Sequence, residues 1–328
     1  MADQCAFLTQ SRVRNNVSPH RALSYCPAIP TSQVRAIMAG LSANRLDVVL
    51  EVTARMSERE KDDARDSDEI AQSCLAAIEG GRSATAAALV QAGLITEGGR
   101  CKPGGMTWLE LGMFRGDVDM VAAFVQKGLP PTMLPLEQMH AAALVNDMDK
   151  VQSFLDAGVD INGVTNGGGQ LLSALEWAAL GGAVDVVEWL LAQPGIDVNA
   201  GSLGPVFEAV RGGRPHMVRL LLADGRARTV STMWGTILHY VGKAPNECAE
   251  ELVDIILDSG LVDVNAVDEL GRSALHLAVE MGRMNLVRRL LQHPGICRRA
   301  RNAFGETVLN VAIRRDHLDM VALLTGCV

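Results

Sequence analysis

The strongest constraint in this sequence is a spacing that returns nine times. An apolar position is followed seven residues later by a small or turn-forming residue, and twelve residues later by a second apolar position. The series runs Ile37/Asn44/Val49, Cys74/Gly81/Ala86, Leu109/Gly116/Val121, Met139/Asn146/Val151, Leu175/Gly182/Val187, Val206/Gly213/Val218, Leu275/Gly282/Val287 and Leu309/Asp316/Val321. Leu238 joins the series after a three-residue insertion that brings Val253 into register. The leading positions lie 30 to 37 residues apart, and the segments are numbered here as units 1 to 9. A period of this length predicts supersecondary units that cannot bury their apolar faces singly and are stable only as a stack.

Within each unit the residues predict two helices of unequal girth. The first helices are slim, as in Ala141-Ala142-Ala143 and Ala178-Ala179. The second helices carry the bulk, as in Phe124-Val125, Phe154-Leu155, Leu190-Leu191, Ile255-Ile256 and Leu290-Leu291. Gly93, Gly128, Gly158, Gly225 and Gly260 fall just past the second helices, where a left-handed cap favours glycine. Asp160-Ile161-Asn162, Asp197-Val198-Asn199 and Asp263-Val264-Asn265 then lead into the next unit, and Gln193-Pro194-Gly195 and His293-Pro294-Gly295 lengthen two of the preceding loops.

Unit 8 is the most regular. Ser273-Ala274-Leu275-His276 opens its first helix, Ala278 holds the small position, Gly282 ends the helix, and Val287, Leu290 and Leu291 line the second. This stretch resembles an ankyrin repeat, whose period is about 33 residues. The resemblance implies an all-α solenoid of about nine helix-turn-helix units with short hairpin fingers. It also implies recognition of a protein or peptide in a concave groove.

Three regions are expected. Residues 1–32 carry no repeat signal and read as an N-terminal arm, either irregular or docked as a strap over the groove. Residues 33–69 read as a degenerate capping repeat and a charged connector, with a capping box at Ser57–Glu60, and residues 70–328 as the repeat array.

Bulk chemistry narrows the function. A formal charge of −8 argues against a nucleic-acid groove, and no apolar run reaches the length of a membrane span. The seven cysteines (Cys5, Cys26, Cys74, Cys101, Cys248, Cys297 and Cys327) are scattered and form no CxxC pair. A disulfide framework or zinc site is therefore not expected, and a reducing cytoplasm, or the nucleus, fits. No cofactor, metal or recognisable catalytic motif is expected, and Gly167-Gly168-Gly169 reads as an enlarged hairpin tip rather than a dinucleotide loop. A monomer is expected. The C-terminal arginines (Arg288, Arg289, Arg298, Arg299, Arg301, Arg314 and Arg315) read as a solvated cap or a docking patch for an acidic partner.

In the resembling family the position of His276 carries a histidine that bonds the turn backbone. Units 3 to 9 place Glu110, His140, Glu176, Phe207, His239, His276 and Asn310 there. His140, His239 and His276 are read as structural. Glu110 and Glu176 depart from the pattern, and a carboxylate in a partly buried slot needs donors or its pKa rises. Each either caps the turn or serves as an acid/base group. The next residue faces the groove, which places Trp177, Glu208 and Tyr240 on consecutive units. Phe114 and Arg211 fall farther along the same face, and Trp108 and Trp234 near hairpin tips. These seven are the candidate binding residues, aromatics being favoured anchors. The alternative is a small apolar ligand in a closed pocket, turned over by a cofactor-free isomerase or cyclase with Glu176, Glu110 or His239 moving protons.

Overall fold

The computed structural model describes residues 31–326 except 43–44, 66, 80–82, 97–98, 100–105, 167–169 and 232–234. The arm over 1–32, save its last two residues, the glycine run 167–169 and Trp234 lie outside the described residues.

Each predicted unit is a helix pair. Unit 1 is α1 (Thr31–Ser42) and α2 (Leu46–Ala54), and α3 (Glu58–Arg65) fills the charged connector. Unit 2 is α4 (Asp68–Glu79) and α5 (Ser83–Gln91), unit 3 is α6 (Trp108–Arg115) and α7 (Val118–Lys127), and unit 4 is α8 (Pro135–Leu144) and α9 (Met148–Asp156). Unit 5 begins with the hairpin β1 (Val164–Asn166) and β2 (Leu171–Ser173), followed by α10 (Ala174–Gly181) and α11 (Val184–Leu191). Unit 6 is α12 (Pro205–Arg211) and α13 (Pro215–Asp224). Unit 7 has the hairpin β3 (Val230–Ser231) and β4 (Gly235–Thr236), then α14 (Ile237–Tyr240) and α15 (Asn246–Asp258). Units 8 and 9 are α16 (Ala274–Glu280) with α17 (Met284–Leu291), and α18 (Val308–Arg314) with α19 (Leu318–Thr325). The insertion in unit 7 is absorbed by a 3-10 turn over Val241–Lys243.

Local chemistry explains these bounds. Thr107, Ser173, Ser273 and Thr307 sit in extended conformation ahead of α6, α10, α16 and α18, and each hydroxyl accepts the N–H three residues on. The predicted C-cap glycines after the second helices all have positive φ, and at the ends of the first helices Asn146 and Asp316 adopt φ of 61° and 58° where other units have Gly116, Gly182, Gly213 and Gly282. Asn and Asp are the side-chain-bearing residues that best tolerate this region.

The Asp-x-Asn lead-ins act twice. Asp160, Asp197 and Asp263 each accept the N–H two residues on, tightening the turn. Each asparagine then brackets the next unit: Asn265 donates to Gly295 O at 2.8 Å and accepts from Cys297 N at 2.7 Å, while Asn162 does the same with Gly195 and Asp197. The lengthened loops thus supply the carbonyls those asparagines need.

From α8 onward the first helices stack in order (α8, α10, α12, α14, α16, α18), sharing an apolar core that runs from Met139 to Met320. Stacking is tightest in units 4 to 6. A Cβ on Gly181 would stand 2.0 Å from the Leu144 carbonyl oxygen, and one on Gly212 would stand 2.2 Å from that of Leu180. Backbones this close on the slim side face bulky second helices on the other.

The N-terminal units depart from the ladder. Units 1 to 3 share a second core that includes Ile37, Ile70, Trp108, Leu109 and Met113, and in unit 3 it is α7 that packs between α5 and α8. That core extends onto Ala141 and Leu144 of α8 and Trp177 and Leu180 of α10, which face the concave side. Helix α6 therefore lies against the groove wall instead of extending the row of first helices. Trp108 is correspondingly a buried first residue of α6, which corrects its expected place near a hairpin tip. Among the described residues no helix is long and apolar enough to cross a membrane.

Candidate functional site

The helical period puts the residue after the histidine slot at the same register of the first helices in units 5, 6 and 7. Yet Trp177, Glu208 and Tyr240 keep only 2%, 0% and 3% of their surface, so an open groove lined by these side chains is corrected by the structure. Trp177 shares a core with Trp108, Leu109 and Met113 of α6, whereas Tyr240 is packed by Phe207 and Lys243. Gly116, at the end of α6, meets Leu180, where an added Cβ would come within 2.9 Å of Cγ.

Arg211 ties this arrangement together. Its Nε donates to Glu208 Oε2 at 2.7 Å, and its Nη1 donates to Phe114 O at 2.7 Å across three units. Phe114 O is one of the carbonyls that the end of α6 leaves without a helical partner, so the guanidinium both caps α6 and complements its dipole. The Phe114 ring lies 5.9 Å from the guanidinium carbon, within cation–π range. Tyr240 packs edge-on against Phe207, centroids 5.4 Å apart. Burial, with the Glu208 charge adding to it, pushes the Tyr240 hydroxyl up to about 12. Burial also raises Glu208, with Arg211 opposing. Glu208 Oε1 and Trp177 Nε1 find no hydrogen-bond partner among the described residues. Such atoms destabilise a fold by about 1–3 kcal/mol each, so α6 covers this wall at a cost.

The acid/base candidates serve the fold. Glu176 is fully buried, and its Oε2 accepts from Ser173 N at 2.8 Å and Ser173 Oγ at 3.1 Å, while its Oε1 accepts from Gly204 N at 2.8 Å. Burial raises its pKa and these donors hold it down. Gly204 turns its N–H toward Glu176 with φ of 103° and ψ of 157°, a conformation essentially restricted to glycine. Gly201 passes so close that an added Cβ would stand 1.5 Å from Oε2. Glu110, expected to be partly buried, is exposed in the same capping-box role, accepting from Thr107 N at 2.7 Å.

His239 has both nitrogens engaged, Nδ1 with Thr236 at 2.9 Å and Nε2 donating to Arg272 O at 3.0 Å, and burial lowers its pKa. His276 repeats this with Ser273 and Glu306 O. In unit 4 the helix starts a turn early, at Pro135, so no cap hydroxyl stands beside His140; Thr165 of the next hairpin takes that role at 2.7 Å from Nδ1. Burial lowers His140 to about 4.

The C-terminal arginines are largely spoken for. Arg289, Arg314 and Arg315 pair with Asp254, Glu306 and Glu280, and Arg298 and Arg301 donate to backbone carbonyls. What sequence reasoning missed is an apolar exposed set on the same units: Val267, Leu270 and Phe304 on the fingers, Met281 and Ile313 at the ends of the first helices. Phe304 is 71% and Ile313 58% exposed. A Phe one residue before a finger-tip glycine was the legible signal. Among the described residues no group of His, Cys, Asp and Glu is placed to hold a metal.

A family model described as ankyrin repeats (three copies) matches residues 138–233 and 238–327, the stretch in which the first helices form an unbroken ladder. Matched over more than half its length, the chain belongs to the ankyrin-repeat family.

Proposed function

We propose that this chain is a non-catalytic recognition module that binds a protein or peptide partner, with the finger side of units 8 and 9 taking part in the contact. The observation that carries this reading is the exposed apolar set Val267, Leu270, Met281, Phe304 and Ile313, gathered on fingers and helix ends. Large apolar side chains held in water on a rigid scaffold are the usual anchors of a partner interface. Ankyrin repeats generally mediate protein–protein interaction, which favours the same reading.

The enzymatic alternative, a cofactor-free isomerase or cyclase, draws less support. Glu176 and His239 spend their donors and acceptors on backbone and cap groups, and Glu110 caps a surface turn. The test is photo-cross-linking from position 304 in the native source, followed by affinity measurement with the purified partner. Replacing Phe304 and Leu270 by serine is expected to weaken binding roughly tenfold or more, as loss of hot-spot anchors does. Unchanged affinity in that double variant would place the interface elsewhere.

A further inference from the structure

The groove wall of units 4 to 6 carries information about what it holds, because α6 already lies against it. We propose that this wall is a helix-binding groove occupied in the resting chain by α6, and that a partner helix of matching design displaces α6. This goes beyond the finger-side contact and uses a different face.

Three observations define the matching helix. The wall is apolar where α6 meets it: Ala141, Leu144, Trp177 and Leu180 share one core with Trp108, Leu109 and Met113. Arg211 fixes polarity, since its Nη1 donates to Phe114 O at the C-terminal end of α6. The incoming helix therefore ends at Arg211, where its last carbonyls or a terminal carboxylate take that donor. The third observation is what α6 fails to do. Glu208 Oε1 and Trp177 Nε1 are buried in the wall without partners among the described residues. A helix presenting a lysine, arginine or glutamine to Glu208, beside its apolar face, satisfies what α6 leaves open and competes on that ground.

The attachment of α6 is also lopsided. Phe114 is 40% exposed and makes its contact through one stacked guanidinium, so it can be replaced without opening the core. Unit 3 joins the ladder through α7, so displacing α6 gives up its packing on α7 and the core of units 1 to 3 but leaves the stack of units 4 to 9 intact.

The experiment uses the full chain, wild type and Phe114→Ala, with native-state hydrogen exchange and a fluorescent peptide of residues 106–117 as the helix probe. Phe114→Ala is expected to speed exchange of α6 amides at least tenfold while α16 to α19 stay unchanged, and to bind the probe at least tenfold tighter than wild type. Adding Arg211→Met to Phe114→Ala is expected to abolish the gain. A probe carrying Leu111→Lys is expected to bind Phe114→Ala several-fold tighter than the unaltered probe, and equal binding would overturn the match to Glu208. The proposal is overturned if α6 exchanges only together with α16 to α19, which means it opens by global unfolding, or if the probe binds wild type and Phe114→Ala alike.

Discussion

Two junctions along the ladder do the same task with opposite polarity. Between units 8 and 9, the neutral His276 accepts the Ser273 N–H at Nδ1 and gives its Nε2 proton to Glu306 O. Between units 5 and 6, Glu176 accepts at both ends, from Ser173 N and from Gly204 N. A histidine needs a carbonyl from the following unit, whereas a carboxylate needs an N–H. The following loop must be rebuilt to suit, and units 8 and 9 keep a finger bridge at Val267/Ser273 and Arg301/Thr307 while unit 6 enters through Gly201 and Gly204 instead. One slot residue therefore dictates the shape of the next unit's entry.

The sharpest way to break this comparison is Gly201→Ala. The new Cβ falls on Glu176 Oε2, which Ser173 N and Ser173 Oγ hold in place while Gly204 N holds the other oxygen. Overpacking plus lost hydrogen bonds should destabilise the chain by about 3 kcal/mol or more in denaturant melts. Gly305→Ala, at a finger tip with nothing within 4 Å, faces only its φ of 74° and should cost about 1 kcal/mol.

Acid titration separates the slots by sign. His140 is lowered to about 4, so the fold favours its neutral form. Its contribution is complete above about 6.5, the unfolded value, and is lost as pH falls from there toward 4. That loss amounts to roughly 3 kcal/mol, and His140→Gln should flatten it. Glu176 runs the other way: its raised pKa makes its contribution grow on acidification and shrink as pH rises through the folded value. A pH–stability profile unchanged by His140→Gln would refute the assignment.

The smallest contrast pairs the two glutamates. Glu176→Gln turns an amide N–H toward a donor in a buried slot and should cost about 1–3 kcal/mol. Glu110→Gln, exposed in an otherwise similar capping box, should cost about 0.5 kcal/mol. Equal losses would mean that burial does not distinguish them.

Much of this fold is legible in the sequence because its determinants are local. The nine-fold spacing places the helix pairs, the glycines and Asn146 and Asp316 mark left-handed caps, and the Asp-x-Asn lead-ins announce the brackets. The helical period also places Trp177, Glu208 and Tyr240 at one register of the first helices. What covers them is not local. It follows from how units pack, and that depends on sites such as Gly181 and Gly212, whose significance appears only when a neighbouring carbonyl is seen beside them. The adjacent Gly182 and Gly213 carry the helix-ending signal and the positive φ, so nothing in the sequence marks Gly181 and Gly212 separately. Trp108 misled for a related reason: unit 3 leaves the row, so its register no longer reports its surroundings.

Those glycine pairs also bear on how such a chain can change length. Unit 8 carries Met281 where units 5 and 6 carry Gly181 and Gly212, so it cannot be spliced into the middle without forcing neighbouring backbones apart. Duplication or exchange of repeats is tolerable toward the C-terminus and barred at the centre. The middle of the molecule behaves as a single casting, and only its far end as interchangeable parts.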